Sequence, residues 1–273
     1  MPMPIDPQGR GYDSLYEEFD SPLAKQLRRE SYGEDIGQHS WVTADELQQH
    51  ISALRLTKSS HFLDLGCGPG GPLAYVVTRI GCQASGIDMS ANAIAAGRLR
   101  AASLGIDGLV EFFEADLNQP IKFASGGFDA VMSLDVILHL GDRLSVFREV
   151  ARLLAPKGRF LFTDAAIVTG AISEVEIGLR AMHGHTQFAA PGFNEKMLGR
   201  AGFRILDLKD HTANLLTSAT GRRDARRAHR DELEQLEGRS NFERQQRYLD
   251  TVVDLSKRGA LSRFAYLTET VED

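Results

Sequence analysis

Only two cysteines, Cys67 and Cys82, occur among the 273 residues of the chain. A disulfide framework is therefore excluded, and a reducing cytoplasm is the expected setting. No apolar run approaches the ~20 residues that a membrane-spanning helix needs. The opening Met1–Arg10, MPMPIDPQGR, has prolines but no apolar core, and is expected to be a disordered tail rather than a secretory signal. An excess of basic charge is missing as well. The 31 Lys and Arg face 37 Asp and Glu, giving a formal net charge of −6. That is the wrong sign for a protein that neutralises nucleic-acid phosphates, so no nucleic-acid partner is expected. What remains is ordinary globular composition, 42% hydrophobic and 25% charged.

From about Gly11 to Lys58 the pattern is helical, with Leu15, Phe19, Leu23 and Leu27 at helix spacing and a second helix starting near the cap Thr43. After Ser60 short apolar runs alternate with helical stretches. The runs are residues 61–65, 82–88, 109–116, 128–136 and 158–165, and helices are predicted over Gly71–Ile80, Ser90–Leu104 and Asp142–Leu154. Such alternation predicts an α/β fold with a parallel sheet, because parallel strands need long crossover connections. Two further strands are predicted at 203–210 and 262–270. Helical insertions are expected at about 167–201 and 213–260, within one domain spanning 59–273.

The strongest local signal is Asp64-Leu-Gly66-Cys-Gly68-Pro-Gly70-Gly71, directly after the first strand. Closely spaced glycines let a ligand lie against bare backbone, and the following helix offers free N–H groups. Gly66, Gly68 and Gly71 formally satisfy G-x-G-x-x-G, and Asp88 lies twenty residues beyond Gly68, where a ribose-binding carboxylate is expected. The loop alone admits NAD or another adenosine cofactor. Asp64 would crowd a pyrophosphate but suits a cationic ammonium. Asp116 closes the third strand where it can accept from an adenine amino group, with Met89 and Leu117 as apolar neighbours for the ring. The last two strands do not form a second mononucleotide-binding half.

These spacings resemble the class I S-adenosylmethionine-dependent methyltransferases. Leu63–Leu73, Gly86–Ser90, Phe113–Leu117, Phe128–Leu140 and Leu153–Asp164 together match that family's ordered motifs. The resemblance implies a Rossmann-like, seven-stranded, mostly parallel sheet with a reversed last strand. It also implies S-adenosylmethionine as cofactor, held by Asp64, Gly66, Gly68, Gly70, Asp88, Met89, Asp116, Leu117, Leu134 and Gln38. The segment Ser133-Leu-Asp135-Val-Ile-Leu-His139-Leu is similar to one in small-molecule N-methyltransferases of the phosphoethanolamine and sarcosine–dimethylglycine type, as are Tyr32–Gln38, Phe162–Asp164 and Pro191–Phe203. That likeness implies an N-terminal helical lid over residues 11–58 and a small-molecule amine or hydroxyl acceptor. His139 would be the proton acceptor, and Asp135, one helical turn away, would orient it or hold the substrate's cation. Relatives with a phosphorylated substrate carry a tyrosine and an arginine where this chain has Ala165 and Gly184. The acceptor pocket is therefore expected to be apolar, built from Ala165, Ala166, Met182, Phe188 and Phe193.

Other features have plainer readings. His183-Gly-His185 lacks a third ligand, and histidines two apart on a helix face different ways, so no metal is expected. Arg222–Arg230 precedes a run with four acids and reads as a solvated, ion-paired helix. Trp41 reads as a packing anchor, and Cys67 as small apolar packing. Two alternatives stand beside the methyltransferase reading: a nicotinamide oxidoreductase, and a catalytically silent adenosine-binding regulatory module.

Overall fold

The computed structural model describes residue 16 and residues 18–271, and the expected tail and Leu15 lie outside the described residues. Helix α1 (Pro22–Tyr32) starts at Ser21, whose hydroxyl accepts from the Ala24 N–H, and stops at Gly33. Helix α2 (Ala44–Leu54) is capped in the same way by Thr43. In each case a side-chain oxygen satisfies an N–H that has no partner within the helix.

Then come β1 (His61–Leu65), α3 (Gly71–Ile80), β2 (Gln83–Asp88), α4 (Ala91–Leu104), β3 (Val110–Glu114), β4 (Phe128–Leu134), a 3-10 turn (Ile137–His139), α5 (Arg143–Leu153), β5 (Leu154–Val168), α6 (Glu174–Arg180), α7 (Phe193–Arg200), β6 (Phe203–Asp210), α8 (Thr212–Ala228), α9 (Arg230–Glu237), α10 (Arg239–Lys257) and β7 (Leu261–Thr270). The seven strands lie in the order β3-β2-β1-β4-β5-β7-β6. All neighbours are parallel except β7, which runs against both β5 and β6. The α/β architecture with a reversed last strand is thus the one the sequence implies.

The sheet separates two apolar layers. On one face Leu47, Ile51, Leu73, Val76 and Val77 of α2 and α3 pack on Phe62, Ala130 and Met132. On the other, Phe147 and Val150 of α5 and Leu198 of α7 pack on Leu63, Val131, Phe160 and Phe162. Phe162 stacks on Tyr266 with centroids 4.6 Å apart, tying the reversed strand into the core. A third cluster joins Trp41 to Leu215 and Ala219 of α8 and Leu249 and Val252 of α10. Helix α1 lies across α8, where a Cβ at Gly221 would stand 2.2 Å from the Ser31 carbonyl oxygen. Only glycine permits so close a crossing.

Ser90 and Asp142, counted within helices by the sequence pattern, are N-caps just outside them. The larger difference is β5, which begins at Leu154 rather than near Gly158 and forms a bulge against β4 between Phe128 and Ala130. Pro156 pushes Ala155 out of the helical region, so α5 cannot run on past Leu154.

Candidate active site

Between β1 and α3 the chain turns through Gly66–Gly70, and the turn is pinned to the next strand. The N–H groups of Gly66 and Cys67 both donate to the Ile87 carbonyl, at 2.8 and 2.9 Å. Gly68 donates to Asp88 Oδ2 at 2.8 Å, while Asp88 Oδ1 accepts from the Ser90 N–H at 2.9 Å. One carboxylate therefore fixes the loop and also holds the approach to α4. A Cβ at Gly71 would lie 2.1 Å from the Gly37 carbonyl oxygen, so a bare α-carbon is required for the segment before α2 to close on the start of α3.

A cleft opens at the carboxyl ends of the central strands, the usual ligand position in an open α/β sheet. Of the residues singled out from the sequence, Asp64, Gly66, Gly68, Asp88, Met89, Asp116, Leu117, Leu134, Asp135 and His139 line it. Gly70 and Gln38 are not among the lining residues. Gly70 is the N-cap of α3, beside Phe112. Gln38 folds back on its own loop, its amide oxygen accepting from the Ile36 N–H at 3.0 Å and its amide nitrogen donating to the Glu34 carbonyl at 3.2 Å. Its neighbours Gly37 and His39 face the cleft instead.

Asp64 is 2% exposed, and burial, reinforced by the charge of Asp88, pushes its carboxyl up to about 8. A cation placed in the cleft would reverse that shift. At the opposite end Met89 is 46% exposed and Leu117 is buried, while Asp116 Oδ1 accepts from the backbone and side-chain nitrogens of Asn118 at 2.8 and 2.9 Å. A bare backbone turn, an acid raised by burial and by Asp88, and an apolar shelf beside a third acid fit a nucleoside with a cationic tail.

Asp135 does something other than the sequence suggested. It sits at φ +59 just after β4, off any helix. Its carboxylate accepts from the Trp41 N–H at 2.9 Å, the Thr163 hydroxyl at 2.9 Å and Arg263 Nε at 2.8 Å. Arg263 is fully buried and also reaches Glu46 of α2 at 2.6 Å. With its charge neutralised from below, Asp135 is poorly suited to orient His139 or carry a substrate cation. Its bonds instead fasten the loop before α2 to the sheet. His139 is oriented by the chain after α6, its Nδ1 lying 2.7 Å from the His185 carbonyl oxygen. Only a protonated Nδ1 can donate to a carbonyl, so in the neutral ring Nε2 is the acceptor. Burial, only partly opposed by that bond, holds the ring below its usual range.

Among the described residues, the five expected to build an apolar acceptor pocket do not line the cleft. Ala165 and Ala166 are wholly buried in β5, and Phe193 is 37% exposed on the surface. The walls of the cleft at the His139 end are His39, Trp41, Arg180, His183, Arg222 and Tyr248. They come from the loop before α2, the segment around α6, and helices α8 and α10, and sequence spacing gave no signal that these meet. Arg222, read as one of a solvated run, lies 4.7 Å over the Trp41 ring. Trp41 both packs in the core and borders the cleft. His183 meets the Tyr248 ring edge-on at 4.7 Å, while His185 contributes its backbone carbonyl, so the two histidines do not converge. Among the described residues, Glu46, His50 and His211 do converge, but Arg263 and Asn214, at 2.6 and 2.8 Å, already occupy the carboxylate.

Residues 63–162 match the family described as "Methyltransferase domain". The glycine/sarcosine/dimethylglycine N-methyltransferase of Actinopolyspora halophila is 30% identical over 177 residues, 63% of this chain and 31% of that protein. The sarcosine/dimethylglycine N-methyltransferase of Halorhodospira halochloris is 29% identical over 207 residues, 74% of this chain and 66% of that protein. The chain thus spans from about a third to two thirds of these curated relatives. The cyclopropane synthase MmaA2 of Mycobacterium tuberculosis superposes with a TM-score of 0.81 over 95% of this chain and 98% of that one, at 16% identity, a likeness of fold. The nicotinamide alternative is not supported, since the matched domain and both curated relatives are methyltransferases. The glycine turn and the three acids along the strand ends all fall within residues 63–162, the stretch that matches the methyltransferase-domain family.

Proposed function

We propose that the protein transfers a methyl group from S-adenosylmethionine to an amine nitrogen of a small molecule, with His139 as the proton acceptor. Asp64 would hold the cofactor's ammonium, Asp88 its ribose hydroxyls, and Asp116 the adenine amino group, with Met89 and Leu117 against the ring and Leu134 beneath. When bound, the cofactor supplies a methyl group on a cationic sulfur, already activated for in-line displacement. The chain has to position the acceptor, exclude water and remove a proton. An amine arriving as ammonium has no lone pair until it is deprotonated, and His139 Nε2 is the group that takes this proton. The observation that carries the reading is the His139–His185 bond at 2.7 Å, which leaves Nε2 as the acceptor in the same cleft as the three acids. The pKa held below the usual 6.5 keeps the ring unprotonated at neutral pH. The names of the curated relatives, N-methyltransferases of small amines, support the same reading. A hydroxyl acceptor would use the same base.

Incubating the full chain with S-adenosylmethionine and a panel of amines, and following S-adenosylhomocysteine and methylated product by mass spectrometry, tests this. His139→Gln should lower kcat by about 10²–10⁴ while leaving S-adenosylhomocysteine affinity within about twofold. Tight binding of the homocysteine product with no turnover on any amine or alcohol would favour the silent adenosine-binding module.

A further inference from the structure

The carbonyl that orients His139 belongs to the loop between α6 and α7. At its start the Met182 and Gly184 N–H groups turn back to the Leu179 and Ala181 carbonyls, and Gly184 lies at φ +127. The next anchor is Gln187, two residues beyond His185. Its N–H donates to the Leu138 carbonyl at 2.7 Å, inside the turn that carries His139. Arg143 holds the same residue twice, through Nε on its side-chain oxygen at 2.8 Å and Nη2 on its main-chain carbonyl at 2.5 Å. Arg143 is the first residue of α5 and is 2% exposed. Its Nη1 donates to Asp164 of β5 at 2.5 Å and to Asn194 of α7 at 2.6 Å. The Asn194 amide and the Ala166 N–H, each at 2.9 Å, complete Asp164. One guanidinium therefore ties the loop to the sheet and to α7. Ala189, paired with Ala166 and Val168, anchors the loop further on, four residues from His185.

A buried ion pair is often no more stabilising than apolar residues of the same volume. What an arginine does supply is geometry, because its planar fork of donors accepts only oxygens placed to match. Here two of its four bonds go to one loop residue, which sets the register of residues 185–187 against Leu138 and His139. We infer that Arg143 is a positioning residue for His139: by clamping Gln187 it holds the His185 carbonyl on Nδ1 and so keeps the proton off Nε2. This rests on the reading of His139 as the proton acceptor and extends it to a residue that does not line the cleft. Without the clamp the carbonyl moves away, and the partner that decides which nitrogen carries the proton is lost. A ring protonated at Nε2 cannot take a proton from an ammonium at that atom.

The test is long-range proton–nitrogen NMR of isotope-labelled histidines in the full chain, with and without S-adenosylhomocysteine. The His139 signals are those missing from His139→Gln. The unsubstituted chain should show a proton on Nδ1 and none on Nε2 at neutral pH. Arg143→Lys keeps a charge opposite Asp164 but loses the fork, and should move His139 toward the form protonated at Nε2. It should also lower kcat about tenfold or more on an accepted amine, with S-adenosylhomocysteine affinity within about twofold. Gln187→Met, at a half-buried position, should move the spectrum the same way, and decides the matter where melting curves show Arg143→Lys to be unfolded. Gln187→Glu again offers an oxygen to Nε and should give the unsubstituted spectrum. The proposal is overturned if the folded Lys and Met variants keep the unsubstituted His139 spectrum, or if the unsubstituted chain already carries the proton on Nε2. Absence of turnover with every acceptor would instead count against the methyltransferase reading, while the spectra of the unliganded chain still decide this one.

Discussion

If Asp64 holds the cofactor's ammonium, as proposed, cofactor binding is a proton-linked event. With its carboxyl at about 8, about nine tenths of the unliganded chain carries a neutral Asp64 at pH 7. A ligand ammonium needs the carboxylate, so binding at pH 7 must expel a proton, at a cost of about 1.4 kcal/mol relative to the fully ionised site. Between pH 6 and 7 the ligand's own amino group stays charged, its reference pKa being about 7.7–8.0. Affinity for S-adenosylhomocysteine should therefore rise close to tenfold across that unit. Calorimetry at pH 7 in two buffers of different ionisation enthalpy should report release of about 0.9 proton per ligand. Asp64→Asn should bind more weakly at pH 8, release no proton and show a flat profile from pH 6 to 7. The unliganded chain provides a second reading. Its folded carboxyl holds a proton that the unfolded one loses near 3.9, so stability is lost as pH rises from about 4 to 8, at up to about 1.4 kcal/mol per unit. Asp64→Asn should remove that slope. A pH-independent affinity without proton release, or the same slope in the Asn variant, would refute the assignment of Asp64 to the ammonium.

Arg263→Met leaves Asp135 and Glu46 buried without their shared cation, and should cost about 3–5 kcal/mol in urea unfolding; a loss below about 1 kcal/mol would mean that Thr163, Trp41, Asn214 and His50 suffice. Gly71→Ala places a methyl 2.1 Å from the Gly37 carbonyl oxygen and should cost about 1–3 kcal/mol. It should also weaken S-adenosylhomocysteine binding, because Gly37 and His39–Trp41 border the cleft. Unchanged melting and affinity would show that this segment moves freely.

That the three acids line one cleft was legible because each lies at or just past the carboxyl end of a strand, and a parallel sheet brings successive strand ends to one edge. Asp64, Asp88 and Asp116 needed only the alternation of apolar runs and the glycines after the first of them. Position did not give function for Asp135, however. Its neighbours Ser133–Leu140 carry a recognisable pattern, but the residues that set its charge, Arg263 and Glu46, lie at separations of 128 and 89 residues, and the pattern says nothing of a buried arginine on the reversed strand. The acceptor half was illegible for the same reason in stronger form. Arg180, Arg222 and Tyr248 sit on three helices that belong to no sheet motif, and helical periodicity assigns an arginine to the solvent side unless a partner face is known. Here the partner face is the cleft itself: α8 crosses α1 at Gly221, one residue before Arg222, so the contact that turns this arginine inward is encoded by a glycine whose role appears only when Ser31 lies against it. Local spacing thus reaches the acids at the strand ends, whereas the far wall of the cleft is set by long-range helix packing that spacing does not encode.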